Sequence, residues 1–110
     1  PVGYAREGDR VAVVTSPAYR WWRNVVEPAA VQVRLDGRWH EGVARLVPVD
    51  DPIYDEVVAL QVRKRGPQML RTFGVEVTDD GRIASEVRAK ASDHAHLVLI
   101  ELGDPIDRPG

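Results

Sequence analysis

Residues 16–28 read Ser16-Pro17-Ala18-Tyr19-Arg20-Trp21-Trp22-Arg23-Asn24-Val25-Val26-Glu27-Pro28, and what this stretch becomes decides how the rest of the chain is arranged. Tyr19, Trp21 and Trp22 crowd beside Arg20, Arg23 and Asn24, between two strand-like runs. A serine followed by proline opens helices: the hydroxyl accepts from free backbone N–H groups, and proline's fixed φ suits the first helical position. Pro28 cannot continue a helix and disfavours helical backbone just before it, so the spacing predicts a helix over 17–27. With about 3.6 residues per turn, successive side chains point roughly 100° apart. Trp21 and Trp22 therefore cannot both enter one core. One packs, and the other faces an edge or a cleft.

On the N-terminal side, Val11-Ala12-Val13-Val14 is a short apolar run rich in β-branched residues, the pattern of a strand buried on both faces. The turn Glu7-Gly8-Asp9 pairs it with a first strand around Tyr4. The run delivers the chain to Thr15 and Ser16 at the helix start, where backbone N–H groups suit an anion. On the C-terminal side, Val31-Gln32-Val33-Arg34-Leu35 alternates with period two, and Asp36-Gly37 is a type I′ hairpin signal. A two-residue turn sets Leu35 opposite Arg38, Val33 opposite His40 and Val31 opposite Gly42. Trp39 then shares a face with Gln32, Arg34 and Glu41. Neither face of the returning strand is purely polar, as expected of a barrel wall covered on both sides. His40 reads as a hydrogen-bonded structural histidine, unless a bulge re-aims it.

Further on, Asp50-Asp51-Pro52-Ile53 opens the clearest helix, over 51–65. An aspartate caps it, Asp55 and Glu56 complement its dipole, and Arg63-Lys64-Arg65 closes it before Gly66-Pro67. Ile53, Val57 and Leu60 form its apolar stripe, with Tyr54, Val58 and Val62 beside it. Residues 68–73 suit one more helical turn, Asp79-Asp80-Gly81 a tight turn, and 85–91 a weak helix. Leu97-Val98-Leu99-Ile100 reads as a strand in the middle of the sheet. His94 and His96, two apart on a strand, point the same way, but no third ligand joins them, so no metal is expected.

The chain has 110 residues, a net charge of −2 and no cysteine. The charge excludes a global field favouring nucleic acid, although Arg20, Trp21, Trp22 and Arg23 together have the composition of a single-strand stacking patch. Without cysteine there is neither disulfide nor thiolate chemistry. No run approaches the roughly 18 apolar residues of a membrane span, and there is no signal segment, so a cytoplasmic location is expected. Glycine-rich phosphate loops, Gly-x-Ser-x-Gly and HExxH are all missing, and no carboxylate pair stands out for acid–base work.

Strands in clusters with helices between them suit an α+β fold. The order of the pieces resembles the deazaflavin-dependent nitroreductase and quinone reductase family, of the split β-barrel flavin-binding superfamily. The likeness is carried by Val11 to Ser16, by Trp21-Trp22-Arg23-Asn24-Val25-Val26, and by Val31 to Arg38. It runs more loosely through Val43-Ala44-Arg45 to 97–102. The resemblance implies a split, partly open antiparallel β-barrel with two or three flanking helices. It implies one domain over 1–103, lacking its native N-terminal segment, and a polar tail over 104–110. The implied activity is a reductase of quinone-like, nitroaromatic or other unsaturated small molecules, with coenzyme F-420 as cofactor and FMN as the alternative. The other reading is a non-catalytic domain of the same fold that binds a flavin-type cofactor, haem or an apolar ligand. By the resemblance, Thr15 and Ser16 lie near the cofactor's phosphate chain, while Trp21, Trp22 and Asn24 build the pocket, Trp21 being its foremost member. A homodimer is left open. No residue is assigned a catalytic role, because a deazaflavin itself carries the hydride and the protein positions it.

Overall fold

The computed structural model describes residues 3–16, 18, 21–91 and 93–106, leaving aside the side chains of Trp21 and Ser85. Nine elements follow in order among them: β1 (Gly3–Glu7), β2 (Arg10–Thr15), a 3-10 helix (Trp21–Val25), β3 (Ala29–Leu35), β4 (Arg38–Val47), α1 (Tyr54–Arg65), α2 (Gln68–Thr72), α3 (Ser85–Ala91) and β5 (His96–Ile106). The strands form one antiparallel sheet in the order β1-β2-β5-β4-β3. β5 is central, as its unbroken apolar run requires.

The two hairpins follow from their turns. Gly8 has φ 60°, and Asp36 and Gly37 have φ 53° and 80°, the paired positive values of a type I′ turn. That turn fixes the register Leu35↔Arg38, Val33↔His40 and Val31↔Gly42. β1 and β3 are the opposite edges of the sheet, yet Arg6 of β1 donates to Asp36 in the β3–β4 turn, Nη1 to Oδ2 3.4 Å. Edges that far apart in strand order meet only if the sheet rolls up. The fold is α+β, a partly open barrel with three α-helices.

Each face of the rolled sheet carries its own core. Inside, Val11, Val13, Val98, Ile100 and Leu35 pack with Val25 of the 3-10 helix. Outside, Ala12, Val14, Leu97 and Leu99 pack against Val57 and Val58 of α1. Every residue from Val11 to Thr15 is buried, so β2 serves both cores. Arg63 of α1 grips Glu7 of β1 with two parallel bonds of 2.7 Å, Nε and Nη2 to the two carboxylate oxygens.

Three expectations change. The helix expected over 17–27 is, among the described residues, a 3-10 helix of one to two turns, Trp21–Val25, followed by bends. Five residues pressed over a curved sheet fit the tighter i→i+3 winding, which the same sequence signals cannot distinguish from an α-helix. Ser16 caps no helix: its Oγ accepts from the N–H of Ala18 at 3.2 Å, a local turn. Asp51 accepts from the Ile53 N–H at 2.9 Å and from Arg45 Nη1 at 2.9 Å, so it closes the turn before α1 and does not cap the helix itself. β5 runs on through Asp104, Pro105 and Ile106, with Ile106 pairing Trp39. A bulge lies between His40 and Gly42 on the β4–β5 ladder, where β5 carries an extra residue.

Candidate functional site at the open barrel end

β2 ends at Thr15, which is fully buried and pairs with His96 at the start of β5. The alternation along both strands turns these two residues toward the barrel interior. Past Thr15 the chain leaves the sheet through the Ser16 turn, and the 3-10 helix then lies against β4 and β5 at this end. Val25 plugs into the inner core. Trp22 lies half-buried, its ring centroid 4.2 Å from that of His96 at an interplanar angle of 46°. The Arg23 guanidinium stands 5.6 Å from the Trp22 ring centroid, a cation over an indole face. Among the described residues Arg23 has no carboxylate partner, and Asn24 is exposed.

Of the residues expected at the site, Thr15, Ser16 and Trp22 therefore meet at one barrel end, with Asn24 facing solvent beside them. Trp21 lies on the same 3-10 helix, its side chain outside the described residues, as are Pro17, Tyr19 and Arg20. His96 is the residue that sequence reasoning passed over. Sequence reasoning weighed it with His94 as a metal pair and set that aside for want of a third ligand; His94 sits in an exposed turn packed over Gly74, while His96 enters the sheet. No cluster of three or more metal-type ligands occurs among the described residues. Burial against its neighbours pushes the His96 pKa below the ordinary 6.5. Neither of its ring nitrogens makes a hydrogen bond to another described residue. Only the long-range Thr15↔His96 pairing could have revealed it, and no local signal encodes that.

Two other places compete. His40 is buried at the far end of the barrel, with its Nδ1 unpartnered among the described residues, and the bulge lies beside it. An open groove of about 840 Å3 lies on the outer face between β3, β4 and β5. Glu41 and Glu101 line it and no cation does, so it repels an anionic ligand. A smaller cavity of about 140 Å3 lies at the rim itself, between the ends of β4 and β5 and the start of α1, with His96 in its wall.

These features define a partly open barrel whose rim carries an indole, the half-buried Ser16 hydroxyl and, among the described residues, a guanidinium with no carboxylate partner. Residues 1–65, from β1 through α1, match the family model described as F420H(2)-dependent quinone reductase. The match spans more than half of the chain, which belongs to that family, and coenzyme F-420 is the family's cofactor. Neither the comparison with curated proteins nor that with solved structures gave a match.

The rim fits such a cofactor. A flat deazaflavin ring needs an apolar wall, which Trp22 and the neighbouring Leu46 provide. Its phosphate-bearing chain needs donors and a cation, which Ser16 and the unpaired Arg23 provide. Among the described residues no helix is long and apolar enough to cross a membrane.

Proposed function

We propose that this chain transfers a hydride from reduced coenzyme F-420 to a quinone-like, nitroaromatic or other unsaturated small acceptor, at the rim formed by Thr15, Ser16, Trp22 and Arg23. One observation carries the assignment. A cation held over an indole sits beside the half-buried Ser16 at the end of the barrel where the family's strand–Ser–Trp segment meets the last strand. The bound cofactor supplies the hydride, and the protein supplies position and dryness. Arg23 and Ser16 hold the anionic chain. Trp22 and Leu46 form the wall that keeps water from the ring. No protein acid–base pair is needed for the hydride step, which agrees with the scattered carboxylates of the sequence.

The test is a titration with oxidised and reduced F-420, FMN and haem, followed by addition of a quinone or a nitroaromatic compound. Saturable F-420 binding, with oxidation of the reduced form when an acceptor is added, is the expected result. Binding without turnover would leave a non-catalytic binding domain in its place. Tight binding of haem or FMN alone would remove F-420 from the assignment.

A further inference from the structure

The small cavity at the barrel rim has a largely apolar wall that includes Tyr54 and His96, and the His96 ring makes no hydrogen bond to another described residue. Leu46, Pro48 and Val49 line it from the end of β4, Ala95 and His96 from the start of β5, and Tyr54 from α1. Its volume, about 140 Å3, matches a single substituted ring and not an extended cofactor. His96 stands between this niche and the Trp22 indole, where the ligand-binding rim begins. No described residue takes a hydrogen bond from the His96 ring nitrogens.

We propose that this niche receives the ring of the quinone substrate and that the neutral His96 imidazole donates a hydrogen bond to the carbonyl oxygen on which negative charge develops. The inference rests on the reductase reading above and deepens it by naming where the acceptor sits. The balance is simple. Hydride supplied by the bound cofactor would add to one quinone oxygen, the ring would become aromatic, and the electron pair would come to rest on the opposite carbonyl oxygen as an oxyanion. The His96 N–H stabilises that charge, and water then delivers the proton that completes the hydroquinone. A neutral donor suits the surroundings. Burial disfavours the charged ring. The groups facing His96 are Thr15 on β2, Arg23 beyond Trp22 on the 3-10 helix and Tyr54 on α1, and none of them is a carboxylate. Burial also raises the Tyr54 pKa, so its phenol stays protonated. The residues of β4 that line the niche do not ionise. His96 lies outside the residues matched to the family, so the assignment comes from this chain's own geometry.

The experiment uses 2-methyl-1,4-benzoquinone, a single small ring that the niche can hold, as the probe, with two readouts. In the cofactor-free protein, NMR follows the His96 ring resonances as the quinone is added. A saturable shift, lost in Val49→Trp where the larger side chain fills the niche, is expected. In the F-420-loaded protein, His96→Leu should lower kcat roughly 100-fold with a smaller change in KM, while His96→Gln, which keeps an N–H donor, should recover much of the loss. F-420 affinity and thermal unfolding of each variant separate these effects from misfolding or loss of the cofactor. No His96 shift with the quinone, or full activity in both Val49→Trp and His96→Leu, overturns the niche while leaving the reductase reading intact. A wild-type protein that binds F-420 and reduces no quinone overturns both.

Discussion

Trp22 ties the inner core to the rim, because one face of the indole meets His96 and the 3-10 helix carries it over β4 and β5. Trp22→Ala should cost about 1–3 kcal/mol, less than a fully buried tryptophan would, since the ring is only half-buried. It should also expose His96 and let its pKa rise back toward 6.5, which NMR titration of the ring would register. An unchanged His96 titration would mean that something other than the indole desolvates the ring. The same shift sets a pH signature. The folded pKa of His96 lies below the unfolded value, so the fold prefers the neutral ring. The stability from that preference is complete above pH 6.5 and is lost as pH falls through 6.5 toward the folded value. Glu7, Asp51 and Asp80 are held below their ordinary values of 4.5, 3.8 and 3.8, by Arg63, by the Ile53 N–H and by Thr78 respectively, so their losses come at lower pH. In chemical denaturation, His96→Gln should flatten the mildly acidic part of the stability curve and leave the strongly acidic part as it was. At this scale, nearness in the chain decided what the sequence could propose for the site. The family resemblance named Thr15, Ser16, Trp21, Trp22 and Asn24, all close in the chain, whereas His96 reaches this end only through strand pairing across some eighty positions.

Elements that depend on local chemistry were the easiest to read. The type I′ turn at Asp36-Gly37 demands two positive φ values, and the observed register follows from it residue by residue. Gly37→Ala isolates that demand, because a Cβ at Gly37 meets nothing within 4 Å, so only backbone strain is added. The expected cost is about 1–2 kcal/mol, measured as a shift in denaturation midpoint with an unchanged slope. A neutral result would show that the turn relaxes to another type without disturbing the ladder. The 3-10 helix was the opposite case. Ser16-Pro17 and Pro28 mark where a helix can start and stop, but the winding between them is set by packing of Val25 and Trp22 on the curved sheet. Propensity cannot see that surface.

At the scale of the molecule, one sheet supports two cores, and β5 supplies both: Val98 and Ile100 face inward, Leu97 and Leu99 face α1. The central place of β5 was legible from its apolar run, and a partly open barrel was expected from the two-sided return strand and the family resemblance. The particular contact of Arg6 with Asp36 across the two edges was not legible, because no local pattern links positions that far apart. Such sharing couples the helical layer to the barrel. Removing packing on one face loosens the strand that the other face needs. Leu99→Ala, on the helix side and almost fully buried, should therefore cost about 2–5 kcal/mol. For a chain of this size that is a fall in Tm of roughly 4–8 °C per kcal/mol. Two probes report from opposite sides: far-UV circular dichroism follows α1, and tryptophan fluorescence includes Trp22 over the inner face. If the two cores melt as one unit, both probes should shift together in Leu99→Ala and give a single transition. A helical signal that melts first, with the fluorescence transition unmoved, would show that the barrel stands without its helices and that β5 does not couple the two layers.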